Sequence, residues 1–267
     1  MTVIHAFLLG MIQGLTEFIP VSSTAHLLIA QTLMGIPSDN AMFAFLVLVQ
    51  LGTTLALIVY FWRDLISLVR AFFAKPFSTP ENRLAWYIVI ATIPALIAGV
   101  LLKDLVQGLF RTPLIEGAIR LLAAAILLSL AERFGSRTRA LESMNWLDAL
   151  VVGLFQVLAI FPGVSRSGTT ISAGMLRAFD RPSAARFAFL MSVPVLLAAG
   201  AYESLDVVKL PHLGAFLPFV AVGFIVAAIV GWFSIRWLLN YLSRHSLYVF
   251  AAYCGVVGLI VLLIQFA

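Results

Sequence analysis

Six stretches of the chain are predominantly apolar, and each is close to the length of α-helix, about 20 residues, that crosses the hydrocarbon core of a membrane. They cover residues 42–62, 84–102, 114–130, 187–202, 213–235 and 247–266. A transmembrane barrel would instead show short segments of alternating polarity. The pattern therefore predicts an all-α polytopic membrane protein with about six full transmembrane helices.

Two further apolar stretches are interrupted at their centres. Residues 2–35 contain polar side chains and a proline between positions 13 and 26, and residues 146–176 contain a proline, glycines, serines and an arginine between positions 156 and 168. Each stretch is typical of two short half-helices around a polar break. Such a break can lie at membrane depth only where protein or a water-filled cavity surrounds it. We therefore expect two re-entrant helical hairpins.

The basic residues predict how the chain is oriented. Twelve of the seventeen Lys and Arg residues lie in the four loops 63–83, 132–147, 177–186 and 236–246. The loops between them hold only Lys103, Arg111 and Lys209. By the positive-inside rule, the four basic loops are cytoplasmic. The spans then alternate only if the first hairpin enters from outside, the second enters from the cytoplasm, and both termini lie outside.

Hairpins that enter from opposite faces indicate an inverted repeat. Two short sequence similarities point the same way: residues 14–17 (GLTE) match 153–156 (GLFQ), and residues 93–99 (IPALIAG) match 193–200 (VPVLLAAG). We expect one membrane domain over residues 1–267, with pseudo-repeats of about 1–112 and 113–267.

Composition excludes most other classes of protein. Hydrophobic residues make up 62% of the 267 positions and charged residues 11%, and the mean hydropathy is +1.07. A soluble domain, a disordered chain and a nucleic-acid-binding domain are all excluded. The single cysteine, Cys254, excludes a disulfide framework. The first ten residues lack a basic region, so we expect no cleavable signal peptide.

The first polar break carries a candidate acid, base and nucleophile. Gln13 and Glu17 are four residues apart and share a helix face, and Pro20 ends or kinks that helix. The hydroxyl residues Ser22, Ser23 and Thr24 follow, and His26 lies just inside the next helix. Polar groups are costly at membrane depth, so this cluster is a candidate functional site.

The second break has the features of an anion site. Residues 162–170 (PGVSRSGTT) form a loop that opens a helix, and the amides and dipole of a helix N-terminus favour an anion. Arg166 adds a planar guanidinium suited to phosphate, and Ser165, Ser167 and Thr169 add hydroxyl groups. A buried arginine needs an anionic partner, which we expect to be Glu17 at rest and a phosphate during turnover. A site that combines the acid, base and nucleophile of the first break with the anion site of the second would suit phosphoryl transfer.

Structural roles are the alternative for several of these residues. Ser22 and Thr170 could equally be interhelical hydrogen-bonding groups, and His26 alone could be an interior histidine. Glu116 and Arg120 are spaced to pair with each other. Broken helices and inverted repeats are also typical of transporters. A carrier of the lipid phosphate is therefore the rival function, and it would release no phosphate in detergent.

Both polar breaks resemble signatures of one enzyme family. Residues 13–26 (QGLTEFIPVSSTAH) resemble the first signature of the undecaprenyl-pyrophosphate phosphatase (bacitracin-resistance) family, Glu/Gln-x-x-x-Glu and then Pro-x-Ser-Ser-Thr-x-His. Residues 162–170 resemble its second, Pro-Gly-x-Ser-Arg-Ser-x-x-Thr. The similarity runs the full length, including 45–53 and 187–194. It implies a bacterial inner-membrane phosphatase that converts undecaprenyl pyrophosphate to undecaprenyl phosphate, recycles the cell-wall lipid carrier and confers bacitracin resistance.

The resemblance also implies roles for individual residues. Glu17, Ser23, His26 and Arg166 match the catalytic carboxylate, the proposed nucleophile, the motif histidine and the phosphate-binding arginine. The expected substrate-binding residues are Gln13, Ser22, Thr24, Ser165, Ser167, Gly168 and Thr169. A divalent cation, Mg²⁺ or Ca²⁺, is implied as cofactor, with Glu17 as its ligand. Gln13 stands where many members have Glu, so a metal held by two carboxylates of this helix is not supported here.

Two mechanisms stay open from the sequence. Either Ser23 attacks phosphorus and Glu17 or His26 takes its proton, or one of these two bases activates water while Ser23 positions the substrate. We expect a polyprenyl pyrophosphate lipid as substrate, the membrane as surroundings, no nucleic acid, and a pocket that opens outward. The sequence leaves homo-oligomerisation open.

Overall fold

The computed structural model describes residues 1–102, 113–159, 165–207 and 213–266. Eleven α-helices lie in these ranges: α1 Val3–Thr16, α2 Ser23–Leu33, α3 Asn40–Tyr60, α4 Trp62–Phe72, α5 Pro80–Leu101, α6 Pro113–Phe134, α7 Trp146–Leu158, α8 Arg166–Leu176, α9 Arg181–Val207, α10 Leu213–Leu242 and α11 Tyr248–Phe266. A 3₁₀ turn, Leu141–Ser143, precedes α7. Lys103, Arg111, Lys209 and residues 160–164, which include the first three residues of the second motif, lie outside the described residues.

Six of the described helices are long and apolar enough to cross a membrane, namely α3, α5, α6, α9, α10 and α11. They confirm the six predicted spans and the all-α polytopic class. Four of them extend into segments predicted to be loops. Helices α5 and α9 begin at Pro80 and Arg181 rather than at 84 and 187, and helices α6 and α10 continue to Phe134 and Leu242 rather than ending at 130 and 235. Hydropathy finds the lipid-facing part of a helix, whereas a helix can continue into the interface through residues with charged ends.

The prediction of a loop over residues 63–83 is wrong for the first half of that range, because α4 lies there. This helix is amphipathic: Leu68 is buried, while Trp62, Ile66 and Val69 are exposed along one stripe. A search for continuous apolar runs misses such a helix, because its apolar residues recur every three or four positions. An amphipathic helix of this kind is typical of one that lies at a membrane surface.

The two interrupted stretches form two pairs of short helices. The members of the first pair, α1 and α2, contain 14 and 11 residues, and those of the second, α7 and α8, contain 13 and 11. Helices of this length extend only about 16–21 Å, less than the roughly 30 Å hydrocarbon core. The helices of each pair contact each other. Short helices in contact are what the hairpin prediction requires, and their entry into the membrane stays a prediction.

The first helix of each pair packs closely against a long helix of the other half. Helix α1 packs along α10, and α7 packs along α5. A Cβ atom on Gly10 would lie 2.6 Å from the carbonyl oxygen of Gly223, and one on Gly153 would lie 2.4 Å from that of Ala91. Only glycine permits such close backbone contact. The two contacts mirror each other in the way an inverted repeat would produce, which supports that prediction.

Buried ion pairs join the basic segments at one end of the bundle. The Glu132 carboxylate, at the end of α6, contacts Arg137 at 2.6 Å and Arg181 Nε at 3.1 Å. It also accepts a hydrogen bond from the amide of Leu247 at 3.0 Å. One carboxylate therefore ties together the segments that precede α7, α9 and α11.

A second carboxylate, that of Asp148 on α7, joins the segments before α7 and after α8. Asp148, fully buried, accepts bonds of 2.7 Å from both Arg139 and Arg177. At the surface, Arg186 pairs with Asp64 of α4 at 2.6 Å. Three of the four predicted basic segments are thus linked to one another, and Leu247, directly after the fourth, is joined to them through Glu132.

Candidate active site

The polar cluster of the first motif is organised around one carboxylate. Gln13, on the last turn of α1, donates a hydrogen bond of 2.9 Å from Nε2 to Oε2 of Glu17. The same nitrogen lies 3.3 Å from Oγ1 of Thr53 on α3. Both side chains are buried, at 2% and 6% exposure for Gln13 and Glu17. As the spacing of four residues predicted, the Gln13 amide and the Glu17 carboxylate lie together on one face of the helix.

A tight turn brings Ser23 back to Glu17. Ser22 has a left-handed backbone with φ of 68°, an uncommon conformation for a residue with a side chain, and such positions cluster at functional sites. Ser23 then begins α2, and its hydroxyl donates a hydrogen bond of 2.8 Å to Oε2 of Glu17. A hydroxyl bonded to a carboxylate at the positive end of a helix can act as a nucleophile, and the carboxylate can act as its base.

Arg166 joins the second motif to the first. It is the first residue of α8, and its Nη2 contacts Oε1 of Glu17, 149 positions away in sequence. Of the two side chains, Glu17 is 4% exposed and Arg166 is 19% exposed. The ion pair neutralises both charges in a site largely shielded from solvent, which matches the expected resting partner of the arginine.

The start of α8 packs against the turn between α1 and α2. Ser165 is the N-cap and accepts a hydrogen bond of 3.2 Å from the amide of Gly168. Ser167 donates to the carbonyl of Ile19 at 3.4 Å, and the fully buried Thr169 donates to the carbonyl of Ser165 at 2.6 Å. A Cβ on Gly168 would lie 3.1 Å from the Cβ of Ser165. The helix N-terminus is therefore held beside Glu17 and Ser23.

Two predicted site residues lie at the edge of this cluster. The imidazole of His26 bonds the carbonyl oxygen of Ser22 through Nδ1, at 2.9 Å, and the hydroxyl of Tyr253 through Nε2, at 2.8 Å. It therefore faces α11 rather than the Glu17 carboxylate. Thr24 is exposed on the first turn of α2.

Sequence reasoning missed two contacts of the site. Thr53 and Tyr253 each lie within a predicted span and outside both polar breaks. Thr53 falls in one of the stretches over which the family resemblance runs, while Tyr253 has no signal in the sequence that singles it out.

Few side chains of the site could bind a cation. Among the residues that the structure describes, no group of three or more His, Cys, Asp or Glu side chains could hold a metal ion. Both oxygens of Glu17 already have partners, Arg166 on one and Gln13 with Ser23 on the other. A Mg²⁺ site commonly uses one or two carboxylates together with phosphate oxygens and water. The residues present fit a cation that arrives with a phosphate and do not fit a preformed cage.

Comparison with known proteins gives a consistent result over nearly the whole chain. The family model described as bacitracin resistance protein BacA matches residues 6–260. A protein of Anaeromyxobacter dehalogenans (strain 2CP-1) is 46% identical over 260 residues, covering 95% of this chain and 88% of the relative. One of Thermomicrobium roseum is 40% identical over 275 residues, covering 99% and 98%. One of Gemmatimonas aurantiaca is 45% identical over 265 residues, covering 98% and 97%. All three are named undecaprenyl-diphosphatase.

Proposed function

The chain belongs to the bacitracin resistance protein BacA family, and on this premise we propose that it is an integral membrane phosphatase acting on undecaprenyl pyrophosphate. It releases the terminal phosphate and leaves undecaprenyl phosphate, which recycles the cell-wall lipid carrier and confers bacitracin resistance. The observation that carries the proposal is the contact of Arg166, from the second motif, with the Glu17 carboxylate that also binds the Ser23 hydroxyl. A nucleophile, a base and a phosphate-binding cation are thereby brought into one buried cluster.

The terminal phosphate binds at Arg166 in this proposal. The guanidinium offers several N–H donors and pairs with phosphate in the same geometry as with a carboxylate. Amides of the first turn of α8 have no acceptor within the helix and point toward the same place. The dianionic phosphate therefore displaces Glu17 from Arg166 and leaves the carboxylate bonded to Gln13 and Ser23.

The geometry favours Glu17 as the base for a serine nucleophile. As the Ser23 Oγ attacks the terminal phosphorus, its proton passes along the 2.8 Å hydrogen bond to Glu17, the bond to the bridging oxygen breaks, and undecaprenyl phosphate leaves. Glu17 passes that proton to the departing undecaprenyl phosphate. Water then attacks the phosphoserine and gives a proton to Glu17, the bond between phosphorus and Ser23 Oγ breaks, Glu17 returns the proton to Oγ, and inorganic phosphate is released. His26 is less suited to deprotonate Ser23, because both its ring nitrogens have other partners.

Direct attack by water is the second mechanism that the site can support. Glu17 then deprotonates the water and Ser23 only orients the phosphate. Labelled substrate with a slow variant, quenched during turnover, separates the two. Phosphate on Ser23 supports the covalent path, and its repeated absence under turnover supports the water path.

We also propose that a divalent cation, Mg²⁺ or Ca²⁺, takes part. Glu17 and the substrate's own phosphate oxygens would hold it, and it would supply charge neutralisation at the phosphate. The cluster holds a single carboxylate, Glu17, which supports a weak site that forms only with substrate. Equilibrium binding of the cation should therefore strengthen when a nonhydrolysable pyrophosphate is present.

We propose an inner-membrane location with the four basic segments in the cytoplasm, both termini outside, and a pocket open to the periplasm. Labelling of single cysteines in a Cys254→Ser background tests the orientation. An impermeant thiol reagent added to intact spheroplasts should label Pro37→Cys, which is exposed between α2 and α3, and should leave Ser136→Cys unlabelled until the membrane is opened. The reverse pattern would contradict the proposed orientation.

Phosphate release in detergent tests the function. Wild type, Arg166→Ala and Glu17→Gln are compared on a C55 or farnesyl pyrophosphate, with and without Mg²⁺ or Ca²⁺. Removing one charge-stabilising donor typically costs about 10²–10³ in kcat, so both variants should lose at least that much. Arg186→Ala removes an exposed arginine that pairs with Asp64 outside the site, and it serves as the matched control. No release by folded wild-type protein would overturn the phosphatase and leave lipid transport.

A further inference from the structure

Tyr253, which lies outside both polar motifs, contacts His26. The hydroxyl of Tyr253, on α11, lies 2.8 Å from Nε2 of His26 on α2. The two rings are nearly parallel, with an angle of 6° between their planes and 5.7 Å between their centroids. The tyrosine therefore contacts the motif histidine through both its ring and its hydroxyl.

The contacts of His26 define which nitrogen carries the proton. Nδ1 lies 2.9 Å from the backbone carbonyl oxygen of Ser22, and a carbonyl oxygen only accepts hydrogen bonds, so Nδ1 must be protonated. In the neutral ring Nε2 is then an acceptor. The Tyr253 hydroxyl is consequently the donor in the 2.8 Å bond. Both ends of the imidazole are fixed, one by the turn before α2 and the other by α11.

We propose that Tyr253 is a positioning residue for His26. It holds the imidazole in the Nδ1–H tautomer with its basic nitrogen facing α11, at the edge of the Glu17 cluster. A hydrogen bond to the other ring nitrogen commonly sets the tautomer and the orientation of a functional histidine. This role rests on the proposed phosphatase function for its effect on rate, while the tautomer itself depends only on the contacts.

Tyr253→Phe tests the role because it keeps the ring and removes only the hydroxyl. A neutral hydrogen bond contributes about 0.5–1.5 kcal/mol, or roughly 2- to 10-fold in rate. We expect kcat for phosphate release to fall by about that factor, with KM changed by less than about 2-fold because the phosphate contacts are untouched. Tyr248→Phe, on the same helix and also exposed, should leave both constants unchanged.

A double-variant comparison separates positioning from a general packing effect. In a His26→Gln background, Tyr253→Phe should cause no further loss of kcat, because the group that it positions is already gone. An equal loss in both backgrounds would overturn the proposal, and so would an unchanged kcat in Tyr253→Phe.

The ¹⁵N spectrum of ring-labelled histidine gives a readout that does not depend on activity. The chain has four histidines, and the His26 signals are identified by their loss in His26→Gln. We expect the neutral Nδ1–H pattern in wild type and a shifted Nε2 signal in Tyr253→Phe. An Nε2–H pattern in wild type, or an Nε2 signal that does not move, would overturn the proposal. Wild type that shows the expected spectrum but releases no phosphate would overturn the phosphatase and leave the tautomer assignment standing.

Discussion

Truncation of Arg166 should destabilise the fold through the charge that it leaves behind. Arg166→Ala removes the cation from a carboxylate that is 4% exposed. Breaking a buried ion pair from one side costs about 3–5 kcal/mol, because the remaining charge is buried without compensation. The arginine itself is 19% exposed, so water can enter where it stood. We therefore expect the lower end, about 3 kcal/mol.

A second change should reverse most of that loss. Glu17→Gln in the Arg166→Ala background removes the stranded charge while keeping an amide oxygen that can accept the bonds of Gln13 and Ser23. The double variant should therefore be more stable than Arg166→Ala by about 2 kcal/mol, the coupling expected for contacting residues. It should remain inactive, because neither the base nor the phosphate-binding cation is present.

Unfolding titrations in mixed micelles, followed by fluorescence of the five tryptophans, measure these free energies. The matched control is Arg186→Ala, whose pair with Asp64 has side chains that are 50% and 36% exposed; exposed pairs contribute about 0–1 kcal/mol. An Arg166→Ala variant as stable as Arg186→Ala, or a double variant no more stable than Arg166→Ala, would refute the buried ion pair as a determinant of stability.

Three further predictions follow from packing and backbone, and the same unfolding titrations measure each. Gly153→Ala should destabilise by about 1–3 kcal/mol, because the new Cβ would lie 2.4 Å from the carbonyl of Ala91, whereas Gly99→Ala, with nothing within 4 Å, should not destabilise. Asp148→Asn should cost about 1–3 kcal/mol, because the fully buried carboxylate loses its charge while Arg139 and Arg177, 27% and 34% exposed, lose their partner but keep access to water; a loss below about 1 kcal/mol would contradict this. Ser22→Val should cost about 1–3 kcal/mol, because a β-branched residue disfavours a φ of 68°, and Ser22→Gly should be tolerated better.

The sequence predicts the spans and the polar breaks because both depend on local composition. Each span of a membrane protein must be apolar over its length, and each break must be polar, so hydropathy finds both. It does not find where helices end, since α10 extends to Leu242 past its apolar part. It also does not find α4, whose apolar residues are spaced by the helical period instead of forming a run.

Within the site, the sequence predicts local partners and one long-range pair. The Gln13 and Glu17 contact follows from helical spacing, and the Glu17 and Arg166 contact follows from the cost of burying either charge alone. The His26 and Tyr253 contact spans 227 positions. It joins a polar motif to a uniformly apolar helix, and no rule of charge or periodicity selects that tyrosine from its neighbours.

The packing of α1 against α10, in the other half of the chain, has a consequence for biosynthesis. Helix α1 leaves the ribosome first, yet the glycine surface that it packs against lies on α10, about 200 residues later. At about 5–20 residues per second, that helix waits roughly 10–40 seconds for its partner. Arg166 follows Glu17 by 149 positions, so the carboxylate has no arginine to pair with for most of this interval. The first helix pair therefore carries an unpaired carboxylate until the second motif has been synthesised, so its final packing comes late in translation.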